Sequence, residues 1–143
     1  TPNYDEGVKQ TKRNRTINRR KWTLTEVRQR IEEPESTSKT VFTRLKELIA
    51  IRKRISAFEP CASQHCIMVD PRLFVVIRDA APASLGVTCV FNLSDDRITL
   101  SRNQLHLDAA RPLKNLITDE ILPHDDTCLS LGAYEFAWIQ ANQ

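Results

Sequence analysis

Residues 41–60, VFTRLKELIAIRKRISAFEP, contain the point at which the pattern of apolar residues changes. In the first half of this stretch apolar side chains recur at i, i+1, i+4, i+7 and i+8, a spacing typical of one face of an α-helix. These side chains are Val41, Phe42, Leu45, Leu48 and Ile49. Ser36, Thr37 or Ser38 can cap the helix. The chain has no second long helix to cover this face, so we expect its packing partner to lie outside this sequence.

After Phe58 the apolar pattern has a period of two residues, which is typical of β-strands. The predicted strands lie near residues 65–70, 73–78, 87–93, 97–100, 104–108, 112–117, 127–131 and 134–139. Short strands separated by turn residues at this spacing predict an antiparallel sandwich. Tyr134, Phe136 and Trp138 alternate in the last strand. We expect them on one face, in the core or at a domain interface, rather than in a sugar-stacking site.

Upstream of the long helix, residues 1–21 have no apolar periodicity. They predict a long polar loop, and such loops often carry function. Thr23 and Glu26 have the spacing of a capping box, in which each side chain bonds a backbone N–H of the other residue. We therefore expect a short helix that begins after Thr23 and ends before Pro34.

The net charge of the 143 residues is +3, but it is unevenly distributed. Through Phe58 there are 15 Lys and Arg against 7 Asp and Glu, and after it 6 against 11, so the two segments carry +8 and −5. This asymmetry indicates two segments in different structural settings. No apolar run reaches about 18 residues, so we predict no membrane span. The sequence opens without Met or a signal peptide, and we expect a piece of a longer, cytoplasmic protein.

The cysteines and histidines do not have the spacing of a metal site, and we expect neither a metal nor a cofactor. Cys89 lies in the apolar run VTCVF and is expected to be buried. All four cysteines are expected to be reduced. His124, Asp125 and Asp126 are predicted to be solvated turn residues. Asn92-Leu93-Ser94 has the form of a glycosylation sequon, but here it predicts a turn that ends a strand.

Five stretches, in order, carry a resemblance to one family. They are TPNYDEGVKQT (1–11), RTINRRKWTLTEV (15–27), VFTRLKELIAIRKRISAFEP (41–60), VTCVFNLSDDRITL (87–100) and LGAYEFAWI (131–139). Together they resemble the C-terminal third of sucrose phosphorylases and their relatives in the α-amylase superfamily, which include glucosylglycerate phosphorylases. The resemblance implies an α+β fragment. Residues 1–58 would be the last loop and helices of a (β/α)₈ TIM barrel, and residues 59–143 a C-terminal β-sandwich domain.

The resemblance also implies an activity for the parent enzyme. Family members transfer glucose with retention, using an aspartate nucleophile, a glutamate acid/base and a second aspartate. All three would lie upstream, so we expect no catalytic residue and no turnover in this chain alone. The parent would use phosphate to cleave a small α-glucoside, sucrose or glucosylglycerate, to glucose 1-phosphate. A sucrose hydrolase or an amylosucrase-like transglucosidase is the alternative within the same class. The implied partners are a small sugar, inorganic phosphate and the missing N-terminal barrel.

Three residues of the opening loop are the candidate substrate-binding residues. Arg15 matches the family arginine that closes the floor of the glucosyl pocket by pairing with an aspartate, and a planar guanidinium suits such a pair. Asn18 is expected to hold the loop by bonding backbone carbonyls rather than to touch substrate. Asp5 could face the acceptor, although a turn or cap role is expected. This sequence departs from the family pattern at Tyr4, which separates Asn from Asp, and at Lys12, where the family often has Gly.

Two readings from other classes compete with this one. A basic run followed by Trp22 could bind nucleic acid through phosphate contacts. The run comprises Lys12, Arg13, Arg15, Arg19, Arg20 and Lys21. We expect no nucleic-acid binding, because no aromatic residue interleaves the run and the overall charge is small. A carbohydrate-binding module would account for the β-segment but would leave the helix and the loop unexplained.

Overall fold

The computed structural model describes residues 9–12, 22–81, 85–108, 111–122 and 128–141. Residues 9–11, expected to belong to a long polar loop, are helical, and farther along the described chain lie the helices α1 (Leu24–Glu32) and α2 (Thr37–Arg52). Eight strands follow: β1 (Gln64–Ile67), β2 (Leu73–Arg78), β3 (Val87–Asn92), β4 (Ile98–Ser101), β5 (Leu113–Asn115), β6 (Ile121–Leu122), β7 (Cys128–Leu131) and β8 (Phe136–Ala141). The chain divides into two compact units, Thr1–Leu45 and Lys46–Gln143. The domain boundary expected at residues 58 and 59, where the barrel segment would end, stays a prediction.

The first unit contains α1 and the beginning of α2. The predicted capping box is confirmed: the Thr23 hydroxyl accepts a hydrogen bond from the Glu26 backbone N–H at 3.3 Å, and the Glu26 carboxylate accepts one from the Thr23 backbone N–H at 2.8 Å. Helix α1 ends at Glu32, before Pro34 as predicted. Ser36 caps α2, since its hydroxyl accepts a hydrogen bond from the Lys39 backbone N–H at 3.0 Å.

The second unit is built around two antiparallel sheets. The larger has six strands in the order β1-β2-β3-β8-β5-β6, and the smaller pairs β4 with β7. Buried aliphatic residues of the two sheets form one shared core, with members from β2, β3 and β8 and from β4 and β7. The predicted antiparallel sandwich is therefore confirmed. The core residues are Leu73, Val75, Val90, Ile98, Leu100, Leu105, Leu113, Leu131, Ala137 and Ile139.

One predicted strand is wrong. Residues 104–108 were expected to be extended, but Asn103–Leu105 form a 3-10 turn that ends at His106 in the left-handed region, with φ of 56°. The Gln104 side-chain carbonyl accepts hydrogen bonds from the backbone N–H and the hydroxyl of Ser101, at 2.9 and 3.0 Å, and so satisfies a donor next to the turn. Leu105 lies fully buried in the core, which explains the apolar signal in this segment.

Two buried polar side chains connect the loops of the sandwich. The Asn92 amide donates hydrogen bonds to the backbone carbonyls of Asp96 and Gly132, both at 2.7 Å, and its carbonyl accepts one from the Ser94 backbone N–H. Asn92 is 2% exposed, so this side chain is a structural turn residue, as the sequence predicted. The buried Arg102 donates to the carbonyls of Arg111 and Leu122. Both buried side chains thus find backbone carbonyls as hydrogen-bond partners.

Candidate functional site

The three candidate substrate-binding residues fall outside the part of the chain that the structure describes. Asp5 lies in residues 1–8, and Arg15 and Asn18 lie in residues 13–21. His124, Asp125 and Asp126 also lie outside the described residues. Among the residues that are described, no three His, Cys, Asp or Glu side chains are grouped so that they could hold a metal ion. The assigned roles of the opening loop therefore stay predictions.

One described residue within this loop agrees with the resemblance in its backbone conformation. Lys12 has a φ of 51°, in the left-handed region that favours glycine. This is the position at which the family often has Gly and this sequence has Lys. The backbone shape that a glycine would serve is thus present, and a lysine adopts it at a cost of roughly 1–2 kcal/mol.

The other end of the loop is followed directly by Trp22 and α1. The Arg30 guanidinium lies over the Trp22 ring, with its central carbon 4.5 Å from the ring centroid. Trp22, Glu26, Gln29, Arg30 and Glu33 line a shallow, mainly polar depression on this unit. Because an arginine covers one face of the indole, that face is occupied within the chain itself.

The apolar face of α2 is exposed, as the sequence led us to expect. Val41, Phe42, Leu45 and Ile49 are each about half exposed, with values of 51%, 49%, 53% and 52%. At the end of the helix, Ile49, Ile55 and Phe58 line an open cleft together with the cationic residues Arg52 and Arg54. The described part of the chain thus presents a helix with an apolar face open to solvent.

A second apolar surface was predicted only in part, through Phe136 and Trp138 of the last strand. Alternate residues of β2, β3 and β8 point away from the aliphatic core, and five aromatic rings line up on this side. We call this set the aromatic row: Phe58, Phe74, Phe91, Phe136 and Trp138. The ring centroids are 6.0 Å apart for Phe74 and Phe91, 5.7 Å for Phe91 and Phe136, 6.5 Å for Phe136 and Trp138, and 4.8 Å for Trp138 and Phe58.

One end of the aromatic row is covered by the segment that follows α2. Ala57 and Phe58 are buried against Val87 and Cys89, with Trp138 packed beside them. Cys89 is 4% exposed, so the predicted buried cysteine is confirmed, and burial raises the pKa of its thiol to about 11. No disulfide joins any of the four cysteines.

Arg78 holds the covering segment in place. Its Nε donates a hydrogen bond to the Ala57 carbonyl at 2.7 Å, and a second guanidinium nitrogen donates to the Glu59 carbonyl at 3.0 Å. A third contact reaches the side-chain carbonyl of Gln64, and the guanidinium lies 5.9 Å from the Phe58 ring centroid. This one side chain therefore fastens the end of the α2 segment to the edge of the sheet.

The other end of the row is open. Phe74 is 47% exposed, and Phe91 and Phe136 are partly exposed. The expectation for the last strand is thus confirmed for Phe136 and Trp138, which share a face. It is wrong for Tyr134, which lies before the strand in a turn with φ of 55° and is 69% exposed.

The chain is similar in sequence to a known enzyme. The chain is 30% identical over 147 residues to a glucosylglycerate phosphorylase from Spirochaeta thermophila, an alignment that covers 96% of this chain and 25% of that protein. No protein-family model matches the chain. The described part of the chain has no helix with the length and apolar character needed to cross a membrane.

Solved structures of α-amylase-family enzymes share the fold. A variant of AmyP in complex with maltotriose matches with a TM-score of 0.60 at 13% identity, over 74% of this chain and 21% of that one. Trehalose-6-phosphate hydrolase (TreA) from Bacillus licheniformis matches with a TM-score of 0.56 at 18% identity, over 80% of this chain and 20% of that one. The chain spans about a quarter of the length of the curated relative and a fifth of these structures. The predicted resemblance to a glucosyl phosphorylase of the α-amylase superfamily is thereby confirmed: over nearly its whole length, this chain is similar to a segment of such an enzyme.

Proposed function

We propose that this chain is the C-terminal part of a retaining glucosyl phosphorylase of the α-amylase superfamily. The observation that carries the proposal is the 30% identity to a glucosylglycerate phosphorylase over 96% of the chain. The full-length enzyme would use inorganic phosphate to cleave a small α-glucoside and release glucose 1-phosphate. Glucosylglycerate is the proposed donor, sucrose is the second candidate, and the proposed location is the cytoplasm.

In this proposal the upstream barrel and the 143 residues have different roles. The nucleophile, the acid/base and the supporting aspartate belong to the upstream barrel, so the 143 residues bring recognition and packing rather than bond cleavage. The loop of residues 1–21 would lie at the mouth of the barrel, where substrates bind in this fold. The exposed apolar face of α2 supports the same proposal, because a last barrel helix needs a sheet to cover it.

Within that loop, Arg15 is the proposed floor of the glucosyl pocket. Its guanidinium would pair with a carboxylate of an upstream loop and leave further N–H donors for a sugar hydroxyl. Such a pair would close the pocket behind one glucosyl unit and favour short donors. Asn18 would hold the loop, and Asp5 would lie toward the acceptor. The many cations of the loop would attract phosphate and a carboxylated acceptor such as glycerate.

The first test is to sequence the gene upstream of the Thr1 codon and to assay the protein that it encodes. An in-frame barrel with the three carboxylates, and release of glucose 1-phosphate from glucosylglycerate and phosphate, is the expected result. If glucose 1-phosphate were released from sucrose but not from glucosylglycerate, the donor would be sucrose. Release of free glucose at the same rate with and without phosphate would identify a hydrolase instead. A start codon directly before Thr1 would contradict the proposal.

The role of Arg15 is tested in the same full-length enzyme. Replacing Arg15 with Ala would leave its carboxylate partner buried and unpaired, and we expect kcat/KM for the donor to fall by roughly 100-fold or more. Arg15→Lys should recover little, because an ammonium cannot reproduce a bidentate pair. Arg13→Ala is the matched control for the loss of one loop cation and should lower kcat/KM far less than Arg15→Ala, because it only weakens the attraction of anions. Equal kinetics for Arg15→Ala and Arg13→Ala would remove Arg15 from the pocket.

A further inference from the structure

We infer that the open end of the aromatic row, formed by Phe74, Phe91 and Phe136, is a docking surface for the remainder of the full-length protein. This inference rests on the proposed function and adds to it a second contact surface besides the face of α2. It names the residues through which the sandwich would be held.

The composition of this face is unusual for a solvated sheet. In an antiparallel sheet with one face on a core, the other face is normally polar. Here four of the five phenylalanines of the chain and one of its two tryptophans lie on the outer side. The inner side contributes only aliphatic residues to its core. Aromatic residues are enriched in the buried centres of protein interfaces, where one ring removes a large apolar area from water.

Half of the row shows how such a face is covered. At the Trp138 end, the Phe58 ring packs in a tilted arrangement against the indole, with ring centroids 4.8 Å apart and planes at 52°, and Phe58 is 8% exposed. At the Phe74 end nothing in the described residues does the same, and Phe74 is 47% exposed. Met68 and Leu93, which follow β1 and β3 at this end of the sheet, are 85% and 65% exposed. The open patch is therefore wider than the rings.

The occupant that fits best is protein from the same molecule. The chain spans 25% of the length of its curated relative, so the proposed enzyme has about three times as much polypeptide outside these residues as within them. A sugar site would need polar groups beside the rings to bind hydroxyls. The charged side chains at this end, Asp70, Arg72 and Asp96, are bonded to one another instead. An apolar protein surface needs no such groups.

The test compares Phe74→Ser in the full-length enzyme and in the 143-residue chain. Ile121→Ser is the matched control, because Ile121 is 54% exposed at the far edge of the same sheet, in β6. We expect Phe74→Ser to lower the midpoint of thermal unfolding of the full-length enzyme by about 3 °C more than that of the chain alone. Ile121→Ser should lower both by the same small amount. Hydroxyl-radical footprinting should show Phe74 modified at least tenfold more slowly in the full-length enzyme than in the chain.

The other outcomes overturn the inference in distinguishable ways. If the gene encodes the barrel but Phe74 is modified equally fast in both proteins, the docking surface is wrong and the proposed function stands. If maltotriose saturably quenches the tryptophan fluorescence of a Trp22→Phe chain, whose remaining indole is Trp138, and Phe74→Ser abolishes this, the face is a sugar site. If the full-length enzyme forms a dimer that Phe74→Ser dissociates, the occupant is a second copy. If no barrel is encoded upstream, this inference fails together with the proposed function.

Discussion

The two faces of the six-stranded sheet differ in composition and in how completely this chain covers them. The inner face is aliphatic, and Val75, Val90 and Ile139 on it are at most 1% exposed. The outer face carries the aromatic row, and its exposure rises from 8% at Phe58 to 47% at Phe74. The small sheet completes the inner face, whereas a short segment after α2 completes only half of the outer one. Thus the sandwich has a core of its own, whereas the described residues leave half of its outer face open to solvent.

The largest expected effect comes from the inner face. Replacing Ile139 with Ala removes three buried carbons from a side chain that is fully buried in the core. We expect the free energy of unfolding of the chain to fall by about 3 kcal/mol, from lost transfer energy plus a cavity. Urea denaturation followed by circular dichroism measures this change. The matched outer-face variant, Phe74→Ser, should cost the isolated chain less than about 1 kcal/mol, since half of that side chain is already in water.

A loss of stability in Phe74→Ser that equals or exceeds the loss in Ile139→Ala would contradict this difference between the two faces. If Phe74→Ser destabilised the isolated chain as strongly as Ile139→Ala, the outer face would be as well covered as the inner one. The surface between β2 and β8 would then not be available to a docking partner. The variants are compared on the same chain and with the same denaturant, so differences in the unfolded state are small relative to the expected gap.

The second prediction concerns the covered half of the outer face. Replacing Arg78 with Ala removes the side-chain donor to the Ala57 carbonyl and one of the two donors to the Glu59 carbonyl, which keeps the Ala62 backbone N–H. We expect the free energy of unfolding to fall by roughly 1–3 kcal/mol. The specific readout is Cys89, whose thiol lies buried under the segment that Arg78 holds. Labelling of Cys89 at pH 8 should accelerate about tenfold or more in the variant, because local opening now exposes the thiol.

Two controls separate a local opening from general weakening. Cys66 is exposed on β1, so its labelling rate should be the same in wild type and variant. Arg78→Lys should behave like the alanine variant, since an ammonium cannot donate in the two directions that reach both carbonyls. Unchanged labelling of Cys89 in Arg78→Ala would mean that Phe58 and Trp138 hold the segment without the arginine.

Local patterns in the sequence predicted most of this fold. The capping box of Thr23 and Glu26 and the strand over residues 73–78 follow from short-range rules, and the structure confirms both. The strand expected at residues 104–108 failed because a buried leucine reports burial without reporting the backbone shape. Leu105 reaches the core from a 3-10 turn that the Gln104 side chain supports, a contact that periodicity cannot reveal.

The aromatic row was harder to predict because it depends on strand order. Phe74, Phe91 and Phe136 each occupy outward positions of their own strands, a signal that alternation does contain. That they become neighbours requires β8 to pair with β3 rather than with β7, the strand before it in sequence. Similarly, the candidate residues of the opening loop came from resemblance alone. Arg15, Asn18 and Asp5 have no periodic pattern around them, so nothing local in the sequence predicts where they point.

The smallest expected effect concerns the charged turn at the open end of the row. The Arg72 guanidinium donates hydrogen bonds to Asp70 at 2.9 Å and to Asp96 at 3.1 Å, which connects the turn before β2 with the turn after β3. The hydrogen bonds from Arg72 lower the pKa of Asp70 from 3.8 to about 2. Because the folded state holds the charged form, this contribution to stability is present above pH 4 and is lost as the pH falls toward 2.

Asp70→Asn should therefore unfold at a slightly lower urea concentration than wild type at pH 6, and the two should converge near pH 2. Since Arg72 is exposed and Asp70 is partly exposed, added salt should shrink the difference at pH 6. A difference that persisted at pH 2 would mean that Asp70 acts through its backbone turn, where its side chain also accepts the Arg72 N–H, and not through its charge.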